Sequence, residues 1–187
     1  QRMARLVRTV DALAENKGKD ADDILTAPGK GVGFEAGIVL LKPWAAAAAG
    51  DMARATIAPS GPMPALTRVA AQYGRALLLE RAKRYDEAEA DYKALTAGQF
   101  SALYVVPYGE FLQRRGRIAE ARVLYQDAVK RDPSLREMRR ALAAIDGKKP
   151  APPALLSLRQ GAAQALTAAA EMSLIEKRFT DGQVYLR

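Results

Sequence analysis

Apolar residues recur along this chain at the three-and-four spacing of an amphipathic helix, and runs of β-branched residues are scarce. The pattern predicts helices over 2–16, 19–26, 34–49 and 51–58, then over 65–83, 85–97, 100–115, 118–131 and 134–146. Ser60-Gly61-Pro62-Met63-Pro64 breaks the series, because glycine frees the backbone and proline removes a helix donor. Asp132-Pro133-Ser134 stops one helix and is expected to cap the next. A proline-rich linker over 148–153 follows, then a long helix over 155–177, and Phe179-Thr180-Asp181 opens a further one. These last two helices form a C-terminal pair over 154–187, an incomplete repeat or a cap.

The helices recur in pairs. Arg84-Tyr85-Asp86-Glu87-Ala88-Glu89-Ala90-Asp91-Tyr92 aligns with Arg117-Ile118-Ala119-Glu120-Ala121-Arg122-Val123-Leu124-Tyr125, a step of 33 residues. One step back from Ala88 reaches Ala55; the next lands on Asp22, with Ala21 one place off. Five residues before these sites stand Lys17, Gly50, Lys83 and Gly116, where the chain is expected to turn. In such a hairpin the alanine sits where two backbones approach closely and the tyrosine fills the space to the next hairpin. No single hairpin covers its own apolar face, so stability comes from stacking.

The unit Val105-x2-Tyr108-Gly109-x2-Leu112…Ala121-x3-Tyr125…Pro133 resembles a tetratricopeptide repeat. Val105, Tyr108 and Leu112 stand where that pattern has Trp, Leu and Tyr. The likeness is greatest over 102–135, extends over 69–101 and 36–68, and is least over 3–35; the helix 134–146 completes an array spanning 1–147. In style the chain resembles the degenerate repeat proteins of bacteria. The resemblance implies an all-α fold, a right-handed α-solenoid of stacked antiparallel hairpins. It leaves open whether the chain works in the bacterial cytoplasm or periplasm. Both ends fall inside helical patterns, so the chain reads as part of a longer protein.

Composition narrows the chemistry. The chain has no cysteine and no histidine, which excludes disulfides, thiolate catalysis, cysteine- or histidine-ligated metals and the commonest general base. Neither a cofactor nor a metal is expected, and no catalytic residue is assigned. An enzyme would need clustered acids, for example Glu80, Asp86 and Glu110 in one cleft. Gly29-Lys30-Gly31-Val32-Gly33 lacks the spacing and the preceding strand of a phosphate loop and reads as a turn. The carboxylates Glu87, Glu89 and Asp91 read as a solvated face, with Glu89 paired to Lys93 one turn on.

The net charge is +8, and residues 111–149 hold 11 Lys/Arg against 5 Asp/Glu. A basic patch of Arg114, Arg136, Arg139 and Arg140 is expected there, suited to steering an acidic partner. Nucleic acid is not indicated, since aromatic interleaving and a recognised motif are missing. Gly37 to Ala49, the most apolar segment, is too short for a membrane span.

In the repeat family the first helix of each hairpin lines a concave groove. The resemblance and helical spacing place Leu40, Trp44, Tyr73, Leu77, Leu103, Val106 and Glu110 on that surface. The positions are mostly apolar, which suits a peptide or amphipathic helix of a partner protein. The long helix around 155–177 is an alternative occupant. The expected role is a non-enzymatic protein–protein interaction scaffold; the alternative is a structural or homo-oligomerisation module.

Overall fold

The computed structural model describes residues 2–27, 36–98, 101–147 and 153–175. Among these residues the chain is all-helical, with no strand. The helices are α1 (Arg2–Ala14), α2 (Gly18–Thr26), α3 (Ala36–Ala48), α4 (Met52–Ala55), α5 (Ala65–Arg81), α6 (Tyr85–Ala97), α7 (Ser101–Arg114), α8 (Ile118–Arg131), α9 (Arg136–Ile145) and α10 (Leu158–Ile175). Every predicted helix with described residues is present. The glycine-rich turn 29–33, most of the linker 148–153 and the final helix from Phe179 lie outside the described residues.

Two boundaries differ from expectation for local reasons. The helix expected over 51–58 ends at Ala55. Pro59 disfavours helical backbone at Ala58, and the Thr56 hydroxyl bonds back to the Met52 carbonyl at 2.8 Å. The helix expected from 134 begins at Arg136. Ser134 does not cap it; the Ser134 N–H instead donates to Asp132 Oδ1 at 2.9 Å, closing a turn before the helix.

One turn is used four times. Asn16, Gly50, Lys83 and Gly116 all have positive φ, at 60°, 89°, 61° and 75°. Each donates its N–H to the carbonyl three residues back, and the next residue donates to the carbonyl five back. This double bond pattern is the Schellman stop, which satisfies the last carbonyls of the preceding helix. The residue five places after each turn is Ala21, Ala55, Ala88 or Ala121, and all four are buried. The first turn thus repeats the backbone geometry of the others, at Asn16 rather than Lys17. Asparagine tolerates the left-handed region better than lysine, so the turn settles one residue early.

The chain forms two compact units. One comprises residues 1–84 with 156–187, the other residues 85–155.

In the first unit α1 packs on α2, α2 on α3, and α3 on α4, α5 and α10. A Cβ on Gly18 would fall 2.1 Å from the Ala48 carbonyl oxygen, so the backbones of α2 and α3 touch where no side chain fits. Arg5 on α1 clamps the open end of α2. Its Nε donates to the Ile24 carbonyl at 2.6 Å and Nη2 to the Leu25 carbonyl at 3.1 Å, with a further bond from Nη2 to the Ala27 carbonyl. A guanidinium fork thus serves carbonyls that the helix itself leaves unpaired. Arg5→Met keeps the stem and removes the fork. It is expected to cost about 1.5 kcal/mol, read by urea unfolding, and to speed amide exchange at the end of α2.

In the second unit α6, α7, α8 and α9 pack in sequence. Tyr92 stacks on Tyr108 at 5.9 Å between ring centroids and meets Phe111 at 5.1 Å. Tyr125 lies against the bare backbone of Gly109; a Cβ there would fall 2.3 Å from Tyr125 Cζ. The Tyr125 hydroxyl donates to the Val106 carbonyl and accepts from Gln113 Nε2, both at 3.2 Å. Burial first, and the Glu110 charge after it, push this phenol up to about 12. Met138 and Ile145 bury the inner side of α9, and Arg122 pairs with Asp146 at 2.8 Å.

Candidate interaction site

The seven positions expected to line a groove divide between the units. Leu40, Trp44, Tyr73 and Leu77 belong to the first; Leu103, Val106 and Glu110 belong to the second.

In the first unit the groove is filled. Leu40, Trp44 and Leu77 are buried, with Trp44 only 3% exposed, and Tyr73 is half-buried. The occupant is α10, which lies on α3 and α5. Its inward side mixes small residues with two larger ones: Gly161, Ala162, Leu166, Ala169 and Ala170 are buried, and Ala169 packs with Ala36 and Leu40, with Met172 against them. The Trp44 indole lies between two glycines. A Cβ on Gly161 of α10 would fall 2.0 Å from Trp44 Cζ3, and one on Gly74 of α5 would fall 3.4 Å from Nε1. Thr67 on α5 donates to the Met172 sulfur on α10 at 3.3 Å. Leu40, Trp44 and Leu77 therefore serve the core of this unit while α10 is seated. Helical spacing does not foretell the two-glycine notch, although a lone glycine beside the alanine-rich run 162–170 is a signal for close approach.

In the second unit α7 exposes Leu103. Leu103 is 62% exposed, and Val106, Pro107 and Glu110 are half-buried on the same side, at the spacing of one helical face. Pro107 lies inside the helix, so the Leu103 carbonyl loses its donor four residues on. An exposed isobutyl group thus stands beside a backbone acceptor that lacks the usual bond from its own helix. Glu110 faces Arg114 at 3.9 Å.

The basic patch loses one member. The Arg114 side chain is only 12% exposed, and its Nη1 donates to the Pro153 carbonyl at 3.5 Å. Spacing alone groups it with the other arginines; its carbonyl partner lies in a segment far along the chain. Arg136, Arg139 and Arg140 are exposed on α9.

A polar knot ties α6, α7 and the start of α8. Glu89 accepts from Arg117 Nη1 at 2.6 Å and Nη2 at 3.1 Å, from the Tyr108 hydroxyl at 3.0 Å and from Lys93 at 2.9 Å. The Glu89–Lys93 pair is as expected; Arg117 and Tyr108 are the additions that make Glu89 structural rather than merely solvated. Arg117 also bonds both oxygens of Glu120, each at 2.7 Å. These donors, Arg117 foremost, hold the Glu89 carboxyl down to about 2 despite partial burial. Burial, and then the bond to Glu89, push Tyr108 up to about 12. Donors surround the carboxylate on several sides, which suits a fixed strut rather than a proton-transferring pair.

An open cleft of about 400 Å³ between α1 and α2 is lined by Arg8, Asp11, Glu15, Lys17, Asp20 and Asp23. Lys17 pairs with Glu15 at 2.6 Å and holds its carboxyl below the usual range. Among the described residues no group of three or more acidic side chains is placed to hold a metal ion. Glu80 belongs to the first unit, Asp86 and Glu110 to the second. No described helix is long and apolar enough to cross a membrane. Compared with known proteins, the chain matches no family model, no curated protein and no solved structure.

Proposed function

We propose that the chain is a non-enzymatic interaction scaffold of tetratricopeptide-like hairpins, and that the side of α7 around the exposed Leu103 receives a peptide or helix from a partner protein. The observation that carries this reading is Leu103, a large apolar side chain at 62% exposure on a helical face. Isolated exposed leucines are common on folded proteins. This one continues into Val106 and Pro107 and stands beside a carbonyl that its own helix does not use, so it offers apolar contact and a hydrogen-bond acceptor together. The fourfold turn supports the repeat reading, because the same helix stop recurs along the chain. Arg136, Arg139 and Arg140 add positive charge to the same unit, which speeds encounter with an acidic partner more than it tightens the complex.

The test compares the wild-type chain with Leu103→Glu and with Val7→Glu, a control at another exposed apolar position. Photo-crosslinking from a probe at Val106 is expected to join a partner in the wild type and the control. Leu103→Glu is expected to cut that yield at least tenfold, a loss of roughly 1.4 kcal/mol or more, while leaving the circular dichroism spectrum unchanged. Equal yields from all three chains would remove α7 as the docking face.

A further inference from the structure

We propose that α10 is exchangeable between copies: the face of α3 and α5 receives α10 of a second copy as it receives its own, giving a reciprocal dimer. In chain order all of 85–155 stands between α5 and α10, although both helices belong to the first unit. A helix placed so far along the chain is held in its seat by α3 and α5 rather than by neighbours in sequence.

The seat is selective by shape. Leu166 and Met172 supply the larger apolar contacts, while Gly161, Ala162 and Ala169 let the helix approach closely. The contact depends on register: Gly161 must meet the Trp44 ring, where any other residue places a Cβ 2.0 Å from Cζ3, while Met172 meets Thr67. The helix that carries this glycine, this methionine and the correct spacing between them is α10 itself. The polar ties are equally particular. Arg81 donates to the Leu156 carbonyl, and Arg159 Nη2 donates to Asn16 Oδ1 at 3.4 Å. Each of these contacts finds the same partners when α10 comes from another copy. Exchange costs association entropy, which concentration offsets. Because each copy both gives and receives, the assembly closes as a two-fold dimer.

The chain lacks cysteine, so introduced thiols are the only ones present. The full chain with N16C and R159C is unfolded, refolded over a range of concentrations and separated by size. Both fractions are then treated with a short bismaleimide. In the monomer fraction the reagent is expected to bridge the pair within one chain. In the dimer fraction it is expected to give covalent dimer on a denaturing gel, at least tenfold above the monomer fraction. Another pair, T67C with M172C, reads the same exchange from farther along the helix, where the side chains touch. Leu103→Glu is expected to leave the dimer fraction unchanged, which separates this result from the α7 test. The proposal is overturned if no dimer fraction forms at any concentration, or if its bridges join residues only within single chains.

Discussion

Alanine at position 161 is expected to loosen α10 from its unit and cost about 1–2 kcal/mol net, although the change adds one methyl group. Helix propensity favours alanine over glycine by about 1 kcal/mol, so local effects alone predict the opposite sign. The clash decides. The new Cβ would stand 2.0 Å from Trp44 Cζ3 and 2.1 Å from Cη2, well inside contact distance. Trp44 cannot retreat, because it is 3% exposed and Gly74 closes its other side. Overpacking of this kind costs about 1–3 kcal/mol even after relaxation. Trp44→Ala removes the obstacle but leaves a cavity, at about 4 kcal/mol. The informative experiment is the double-mutant cycle. In a Trp44→Leu background the clash partner is gone, so Gly161→Ala should be neutral or slightly stabilising, with a coupling of about 2 kcal/mol. Urea unfolding followed by circular dichroism supplies the free energies. Trp44 is the only tryptophan, so its emission in Gly161→Ala should shift to the red as α10 lifts. If Gly161→Ala costs the same in both backgrounds, the ring is not what the glycine accommodates.

This contact also marks the limit of what periodicity conveys. Spacing puts Leu40, Trp44 and Leu77 on one apolar face, and all three are inside. It leaves the cover of that face open between a partner and the helix around 155–177, because that helix lies far along the chain, after the whole of the other unit. Local chemistry is more legible. Gly50, Lys83 and Gly116 are the left-handed turn residues expected from a step of 33, because a helix stop is written in a few adjacent residues. Asn16 shows the same rule overriding strict spacing by one place. Arg114 and Glu89 depart from expectation for one shared reason. Spacing makes Arg114 a surface cation, but a distant carbonyl holds it. Spacing makes Glu89 a solvated carboxylate, but Arg117, 28 residues on, closes over it. Long-range polar partners leave no periodic trace.

The other large effect lies at Glu89. Its side chain is only 15% exposed, and it accepts four bonds from Arg117, Tyr108 and Lys93. Glu89→Ala removes the shared acceptor and leaves the buried Tyr108 hydroxyl and part of the Arg117 fork without their partner. The expected cost at neutral pH is about 3 kcal/mol, at the low end for breaking a desolvated ion pair, because Arg117 keeps Glu120 and stays partly hydrated. The sign of the pH dependence follows from linkage. The carboxyl is held down to about 2 in the folded chain from an ordinary 4.5. Between those values the unfolded chain binds the proton first, so the stabilisation is whole above about 4.5 and drains away as pH falls toward 2. Wild type should therefore lose stability in that window far faster than Glu89→Gln, and the two curves should converge near its acid end. At the alkaline end Tyr108 is pushed up to about 12 from an ordinary 10. The unfolded chain then loses the phenolic proton first, which by itself favours unfolding, so the fold should weaken as pH rises from 10 toward 12. Tyr108→Phe should lessen that decline, with Tyr125, pushed up as far, supplying the rest, while leaving most of the acid limb in place, since Arg117 is the main donor. Amide exchange in α7 and α8, followed across pH, measures both limbs in the unit that holds the knot. Parallel acid limbs in wild type and Glu89→Gln would mean that the carboxylate is solvated after all, and that the ring contacts of Tyr92 and the hydrogen bonds of Tyr125 join α6, α7 and α8 without it.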